Sequence, residues 1–174
     1  LYTCTSGDIA FRGEHITHLA PHRIAQLGIG RTFQNLALFR TLSVLDNVKV
    51  GRHCRTRTGF LSNALRLPHV RVEREASERR AKEIIDFLEL RSVMHSRVSD
   101  LPFGTQKRVE LARALAGDPS LLLLDEPACG LNHEEVSRLG KLIQHIRDQL
   151  KVTVLLVEHH MGLVMGVSDH VVAL

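Results

Sequence analysis

The sequence of 174 residues contains no tryptophan, one tyrosine and only three cysteines. Cys4, Cys54 and Cys129 are an odd number, lie far apart and form no CxxC pair. This argues against a disulfide framework and against a zinc site, and it fits a reducing cytosol. No run approaches the roughly 20 consecutive apolar residues that a membrane-spanning helix needs, and no basic-then-apolar leader opens the chain. We therefore expect any association with a membrane to come through a partner.

The composition is typical of a soluble globular protein, with 44% hydrophobic and 24% charged residues. The length fits one ordinary domain that can bury a core. The net charge is +4, and most of the excess lies in residues 52–82, where nine Lys and Arg residues face three Glu residues. A basic patch can indicate nucleic acid or anionic lipid as a partner. Because aromatic residues are scarce there, we favour a solvated helical face.

The first third of the sequence predicts short elements. A turn at residues 6–8 leads into a short strand at residues 9–11. Pro21 opens a short helix that Gly28 ends, and residues 29–33 are typical of a strand.

Helical patterns dominate residues 45–116, where strand signals vanish. Residues 73–90 carry apolar side chains at helical spacing and predict an amphipathic helix. A second helix is predicted to begin near Gly104 and to end at residues 117–119. The pattern of residues 51–69 is interrupted by glycine, proline and arginine and predicts no element.

The last third predicts a strand, a helix and a second strand. Residues 121–124 form an apolar run that is too short for a helix and suits a strand buried on both faces. Asn132 and Glu135 resemble a capping box at the start of the following helix. Residues 152–157 predict a second buried strand, so the sheet should be parallel.

The end of the sequence predicts a helix that begins within residues 161–165 and a strand from Val171 onward. No internal repeat or low-complexity segment is present. The order of elements therefore indicates an α/β fold with a helical stretch in its middle.

Both apolar runs of the last third end in charge. Asp125 and Glu126 follow the first run, and Glu158 and His159 follow the second. In open α/β sheets, ligands bind beyond the carboxyl ends of the strands. A strand-terminal aspartate suits Mg²⁺ coordination, and an adjacent glutamate can deprotonate a water molecule. Taken alone, the acids could also be the polar start of a surface loop, and His159 could be a structural histidine.

Five segments in fixed order resemble motifs of the ABC transporter ATPases. Residues 121–127 resemble the Walker B motif with its catalytic glutamate, and residues 101–116 stand where the family keeps its LSGGQ signature and the helix that follows it. Residues 130–132 stand at the D-loop, residues 158–159 at the switch histidine, and residues 31–35 at the Q-loop. The resemblance covers essentially the whole chain.

The subfamily is indicated by three further segments. Residues 21–35, 42–48 and 157–165 are similar to the ATPases of branched-chain amino-acid uptake systems. Those systems use two different ATPase subunits, and this chain resembles the larger, G-type subunit.

The resemblance implies roles at the sheet edge, with ATP and Mg²⁺ as the cofactors. Asp125 would hold the Mg²⁺ shell, and Glu126 would be the general base for the attacking water. His159 would contact the γ-phosphate. Gln34 would reach Mg²⁺ or the attacking water and report the nucleotide state to the membrane subunits.

The resemblance also implies a set of residues that bind nucleotide near the signature and the D-loop. Gly104 would let the start of a helix approach the γ-phosphate of the opposite subunit's ATP, since a helix N-terminus binds anions. Phe103, Thr105 and Asn132 belong to the same expected set.

The sequence departs from the family pattern in two places. No GxxxxGK[ST] phosphate-binding loop occurs in it, so we expect a fragment, truncated at the front and at the end, that binds ATP weakly. The signature has Pro102 and Phe103 where the family commonly has Ser-Gly, and Thr105 replaces the glutamine. Pro102 offers no amide donor. The spacing of the remaining histidines does not favour a zinc site, which leaves only the switch role of His159.

The fold implied by the resemblance is α/β, with a RecA-like P-loop NTPase core whose parallel sheet is incomplete here. Residues 1–49 and 116–174 would form the core, and residues 50–115 an inserted helical subdomain. The implied function is ATP hydrolysis coupled to import of branched-chain or related amino acids. The implied partners are a second ATPase subunit, two membrane permeases and, indirectly, a solute-binding protein, with no nucleic acid. The protein would be peripheral, at the cytoplasmic face of the plasma membrane.

Three alternatives remain at this point. One is a soluble ABC ATPase of DNA repair or translation, although the 66 residues between Gln34 and Leu101 leave little room for the long coiled coils of the repair proteins. The second is a lipopolysaccharide-export ATPase, whose Q-loop neighbourhood differs. The third is a catalytically inactive interaction module.

Overall fold

A three-stranded parallel sheet organises the computed structural model, which describes residues 6–32, 36–55 and 68–173. Its strands are β3 (Ile29–Arg31), β4 (Leu121–Asp125) and β5 (Thr153–Val157), in the order β3-β4-β5. Both pairings are parallel, and Asp125 stands opposite Val157 in the register. The predicted α/β class with a parallel sheet is confirmed.

Short elements precede the sheet. Strands β1 (Ala10–Phe11) and β2 (Glu14–His15) form a small antiparallel pair. Helix α1 (Pro21–Gln26) begins at its proline, because proline fits the first helical turn without losing a hydrogen bond. Gly28 ends this helix with a φ of +94°, a conformation that side chains disfavour.

A layer of three helices packs beside the sheet. It contains α2 (Val44–Gly51), α3 (Pro68–Phe87) and α4 (Phe103–Leu115), and α2 contacts both of the others. Short 3₁₀ segments lie at Arg52–Arg55, Arg91–Val93 and Val98–Asp100. Fully buried aliphatic side chains hold the layer together, among them Val44, Val48, Ile84, Ile85, Val109 and Leu115.

Two helices accompany the last strand. Helix α5 (His133–Leu150) begins with the capping box expected from the sequence: the Glu135 amide donates to Asn132 Oδ1 at 2.9 Å, and the Asn132 amide donates to Glu135 Oε2 at 3.0 Å. Helix α6 (Met161–Val167) packs against α5. None of the described helices is both long enough and apolar enough to cross a bilayer.

Several predicted elements need correction. Strand β5 is not buried on both faces, because Leu155 and Val157 are each 57% exposed. Residues 171–173 form no strand. The long helix extends from Pro68 to Phe87, earlier than the predicted 73–90. Residue 33, the predicted end of β3, lies outside the described residues.

The division into two subdomains stays a prediction. Helix α2 crosses the expected boundary between residues 49 and 50, and it packs against α3 and α4. Its position in the helical layer favours a boundary before Val44 rather than after residue 49.

Asp118 ties the helical layer to the loop between α4 and β4. Its two carboxylate oxygens accept from Arg52 at 2.7 Å and from Arg80 at 2.8 Å. Arg55 donates to the backbone oxygens of Gly117 and Asp118 at 2.8 and 3.0 Å. Three residues of the basic region therefore bind this loop. Partial burial by itself would raise the pKa of Asp118, but the hydrogen bonds from Arg52 and Arg80 outweigh it and lower the pKa.

The variant Asp118→Asn should lose about 1 kcal/mol of stability at pH 7, because hydrogen bonds to a charged group are lost at a partly exposed site. Asparagine tolerates the φ of +48° found at this position. Since the folded-state pKa is lowered, the stabilisation by Asp118 is complete above the unfolded-state pKa of about 4 and is lost as the pH falls through the folded-state value. Urea unfolding of both proteins between pH 7 and pH 3 measures this.

The matched control is Asp86→Asn, which removes a more exposed aspartate whose ion pair with Arg91 spans 3.2 Å. It should change the free energy of unfolding by less than about 0.5 kcal/mol. An equal loss in both variants, or a difference for Asp118→Asn that does not shrink toward pH 3, would contradict the role of this loop contact.

Candidate functional site

The ends of β4 and β5 bring the predicted site residues to one edge of the sheet. Asp125 is the last residue of β4 and pairs in register with Val157, the last residue of β5. The Glu126 amide donates to the Val157 backbone oxygen at 2.9 Å. Glu126 and His159 therefore follow neighbouring parallel strands, as the sequence predicts. An open α/β sheet binds ligands at this edge.

The carboxylate of Asp125 lies beside a cation in this structure. Arg31, from the end of β3, reaches Asp125 Oδ2 at 3.1 Å, and the Asp125 side chain is 36% exposed. Thr32 is buried, and its hydroxyl oxygen is 3.4 Å from the Asp125 amide nitrogen that donates to it. A carboxylate oxygen at the sheet edge is a ligand that Mg²⁺ prefers, and in this structure the guanidinium of Arg31 takes the place of a cation beside it.

Glu126 occupies an uncommon backbone conformation. Its φ is +45°, in the left-handed region, where side chains other than those of Gly, Asn and Asp are disfavoured. The same residue begins the turn in which the Cys129 amide donates to the Glu126 oxygen at 3.1 Å. Such conformations cost about 1 kcal/mol or more, and they concentrate at functional sites.

The start of α4 packs against the loop that follows β4. A Cβ on Gly130 would lie 2.9 Å from the ring of Phe103, so that ring rests directly on the glycine backbone. Gly130 itself has a φ of +79°. A Cβ on Gly104 would lie 2.5 Å from Glu135 Oε1. The predicted signature residues therefore contact the predicted D-loop and the capping box of α5 within one chain.

A cavity of about 700 Å³ opens beside Gly104 and Thr105 rather than at the end of β4. On one side, the rings of Phe87 and His145 stack at 4.6 Å between centroids. The charged side chains that line the cavity are four basic ones of α4 and α5, Lys107, Arg108, Arg138 and Lys141, and two acidic ones, Glu89 and Glu135. It therefore belongs to the surroundings of the signature start, where the resemblance places an opposing nucleotide.

Two of the remaining predicted site residues, His159 and Asn132, lie in the described part of the chain, and Gln34 does not. His159 is exposed directly after Glu158, and Asn132 is the N-cap of α5. Gln34 lies outside the described residues. Arg113 of α4 donates to the Ala37 backbone oxygen, which ties the helix to the chain just after that segment. Burial lowers the pKa of Arg113.

Metal binding by protein side chains alone finds no support in residues 6–32, 36–55 and 68–173, where no three His, Cys, Asp or Glu side chains are grouped to hold an ion. A single aspartate would suit an ion that keeps most of its water shell, as Mg²⁺ usually does.

Two neighbours of the predicted site had no role assigned from the sequence. Arg31 approaches Asp125 from 94 positions away, and Glu158 accepts a hydrogen bond from Ala128, 30 positions away. Neither contact leaves a local pattern in the sequence. The available signal was their placement at the carboxyl ends of β3 and β5, where side chains of neighbouring strands meet.

Comparisons with known proteins agree with this arrangement. The sequence profile of the ABC transporter family matches residues 1–129. The chain is similar to the high-affinity branched-chain amino acid transport ATP-binding protein LivG of Escherichia coli K12, with 38% identity over 170 residues that cover 98% of the chain and 67% of LivG. It is 41% identical over 174 residues to the corresponding BraF of Pseudomonas aeruginosa, covering 99% of the chain and 68% of BraF.

The fold is also similar to that of a solved structure, a nucleotide-free ATP-binding cassette from an ABC transporter. The TM-score is 0.75 at 25% identity, and the match covers 97% of this chain and 65% of that cassette. The chain thus spans about two thirds of the length of the proteins it matches.

Proposed function

The chain belongs to the ABC transporter family, and we propose that the protein is the ATP-binding and ATP-hydrolysing subunit of an importer of branched-chain or related amino acids. The observation that carries the proposal is the shared sheet edge, where Asp125 ends β4, Glu126 follows it, and Glu158 and His159 follow the neighbouring strand β5. The similarity to LivG and BraF supports the amino-acid substrate class.

The residues of this edge suit phosphoryl transfer to water. When bound, Mg²⁺ supplies positive charge that stabilises the phosphate oxygens, and Asp125 would hold its water shell. Glu126 would accept the proton of the attacking water, and His159 would contact the γ-phosphate. Gln34 would reach the same centre. Such a reaction requires mainly positioning and charge stabilisation.

The start of α4 suits a contact with a second subunit. The first amides of a helix point beyond its end and attract anions, and Gly104 keeps that end free of a side chain. Phe103, Thr105 and Asn132 would complete the surface that meets the opposing nucleotide. Closure of two subunits would then assemble the full catalytic set and switch hydrolysis on.

The proposed partners are a second ATPase subunit, two membrane permeases and, indirectly, a solute-binding protein. The protein would lie peripherally at the cytoplasmic face of the plasma membrane, since permeases would supply the membrane contact. Support for this arrangement comes from the relatives LivG and BraF, which are transport ATP-binding proteins.

Reconstitution of the full-length subunit with its permeases in lipid vesicles tests the proposal. We expect the ATP hydrolysis rate to rise when the solute-binding protein is loaded with leucine, isoleucine or valine, and to stay at its basal value with sulfate. A rate that responds to lipopolysaccharide instead would favour the export-type alternative. The absence of any hydrolysis by the full-length protein would refute the enzymatic assignment.

A further inference from the structure

Glu158 joins two segments of the proposed catalytic edge through backbone amides. Its Oε1 accepts from the Ala128 amide at 2.8 Å. Its Oε2 accepts from the His159 amide at 3.0 Å and from the His160 amide at 3.2 Å. One half-buried carboxylate therefore binds the loop after β4 and the segment after β5 at the same time.

The two segments carry the groups proposed for chemistry. Ala128 lies two residues after Glu126, whose own amide donates to Val157 at 2.9 Å. His159 immediately follows Glu158 and carries the switch imidazole. Hydrogen bonds between amides and an ionised carboxylate are shorter and stronger than those between neutral groups. Glu158 is thus placed to fix the backbone of His159 relative to the loop that bears Glu126.

The network continues into α6. The His160 Nδ1 accepts from the Leu163 amide at 3.2 Å and caps this helix. Leu163 and Val164 are buried, so the helix is anchored by packing. The His159 backbone is therefore held on one side by Glu158 and on the other by the start of a packed helix.

We propose that Glu158 is a positioning residue for ATP hydrolysis, a role that rests on the proposed function of the protein. Its carboxylate fixes the distance between the Glu126 loop and the His159 backbone. The Glu126 carboxylate and the His159 imidazole can then act on the same nucleotide. A glutamate is required because only a carboxylate presents two acceptor oxygens, one for each segment. A glutamine side chain has one acceptor oxygen and would turn its NH₂ donor toward one of the two segments.

The kinetic test compares Glu158→Gln with wild type in the full-length subunit. The ATPase kcat should fall by about ten- to a hundredfold, as expected for a small misplacement of catalytic groups. The KM for ATP should stay within about twofold, because the variant shifts His159 slightly and removes no group that would contact ATP. The control Glu75→Gln alters an exposed glutamate of α3 that pairs with Arg71, and it should leave both constants unchanged.

A double variant shows whether Glu158 acts by positioning His159 or by stabilising the protein as a whole. Because Glu158 fixes the Glu126 loop relative to His159, adding Glu158→Gln to His159→Ala should slow the His159→Ala enzyme by much less than it slows wild type. Effects that multiply instead, or a normal kcat in Glu158→Gln, overturn the proposal.

Amide hydrogen exchange tests the contact independently of catalysis. In Glu158→Gln, the amides of Ala128, His159 or His160 should exchange faster than in wild type, while the amide of Leu124 in β4 keeps its protection. Unchanged exchange at all three overturns the proposed contact. Wild-type protein that shows this protection yet hydrolyses no ATP would instead refute the proposed function.

Discussion

Replacing Glu126 with glutamine is expected to lower the ATPase kcat of the full-length subunit by about 10² to 10⁴-fold, the usual contribution of a general base. Glutamine has nearly the same shape and keeps the polar contacts of the side chain, but it cannot accept the proton of the attacking water. Binding of ATP should persist, because Asp125 and the signature residues are unchanged. Steady-state hydrolysis and equilibrium ATP binding, measured on the same preparation, separate the two effects.

The control for this experiment is Glu89→Gln. Glu89 is an exposed glutamate with a φ of +56°, so it shares both the residue type and the left-handed backbone of Glu126. It should retain wild-type kcat. If Glu126→Gln hydrolyses ATP as fast as Glu89→Gln does, Glu126 is not the general base, and the assignment of the sheet edge as a hydrolytic centre fails.

Replacing Gly51 with alanine is expected to have the largest effect on stability, a loss of about 3 kcal/mol or more from overpacking. Gly51 ends α2, and a Cβ there would lie 1.9 Å from the backbone oxygen of Arg113 in α4. That atom belongs to a helix backbone and cannot rotate away as a side chain would. The two helices would have to separate, which would open the buried contacts of Val44, Val48 and Leu115.

The matched control is Gly166→Ala in α6. No atom lies within 4 Å of the position that its Cβ would take, so the substitution should raise stability by about 0.5–1 kcal/mol through helix propensity alone. Urea unfolding of the two variants gives the comparison. Equal changes in the free energy of unfolding would show that the approach of α2 to α4 is looser than the structure has it.

The features that were predictable from the sequence depend on short-range patterns. The four leucines of β4, the capping box at Asn132 and the acids after β4 follow from residue order within a few positions. Parallel pairing then follows from a strand, a helix and a strand in sequence. For this reason the shared edge of Asp125, Glu126 and His159 could be predicted from the sequence.

The burial of β5 could not be predicted in the same way. Its apolar run 152–157 resembles that of a strand covered on both faces, but burial depends on which elements cover each face. Val154 and Leu156 pack against the core, whereas Leu155 and Val157 are exposed. A sequence pattern reports the apolar character of a strand and not the position of its neighbours.

The contacts of the basic region (residues 52–82) could not be predicted from the sequence either. Arg52 and Asp118 are 66 positions apart, and Arg55 and Gly117 are 62 apart. The composition of residues 52–82 predicts a solvated helical face and does not separate these arginines from the other cations of the region. Only the fold distinguishes Arg71, which pairs with Glu75 on its own helix, from the arginines that bind a loop across the molecule.

The left-handed backbone at residue 126 and the proposed chemistry place different demands on the residue type: the backbone disfavours glutamate, whereas hydrolysis needs its carboxylate. Folding stability alone would favour glycine or asparagine there, since either adopts a φ of +45° more readily than glutamate does. The proposed role of Glu126 as the general base would account for a glutamate at this position in spite of that conformational cost.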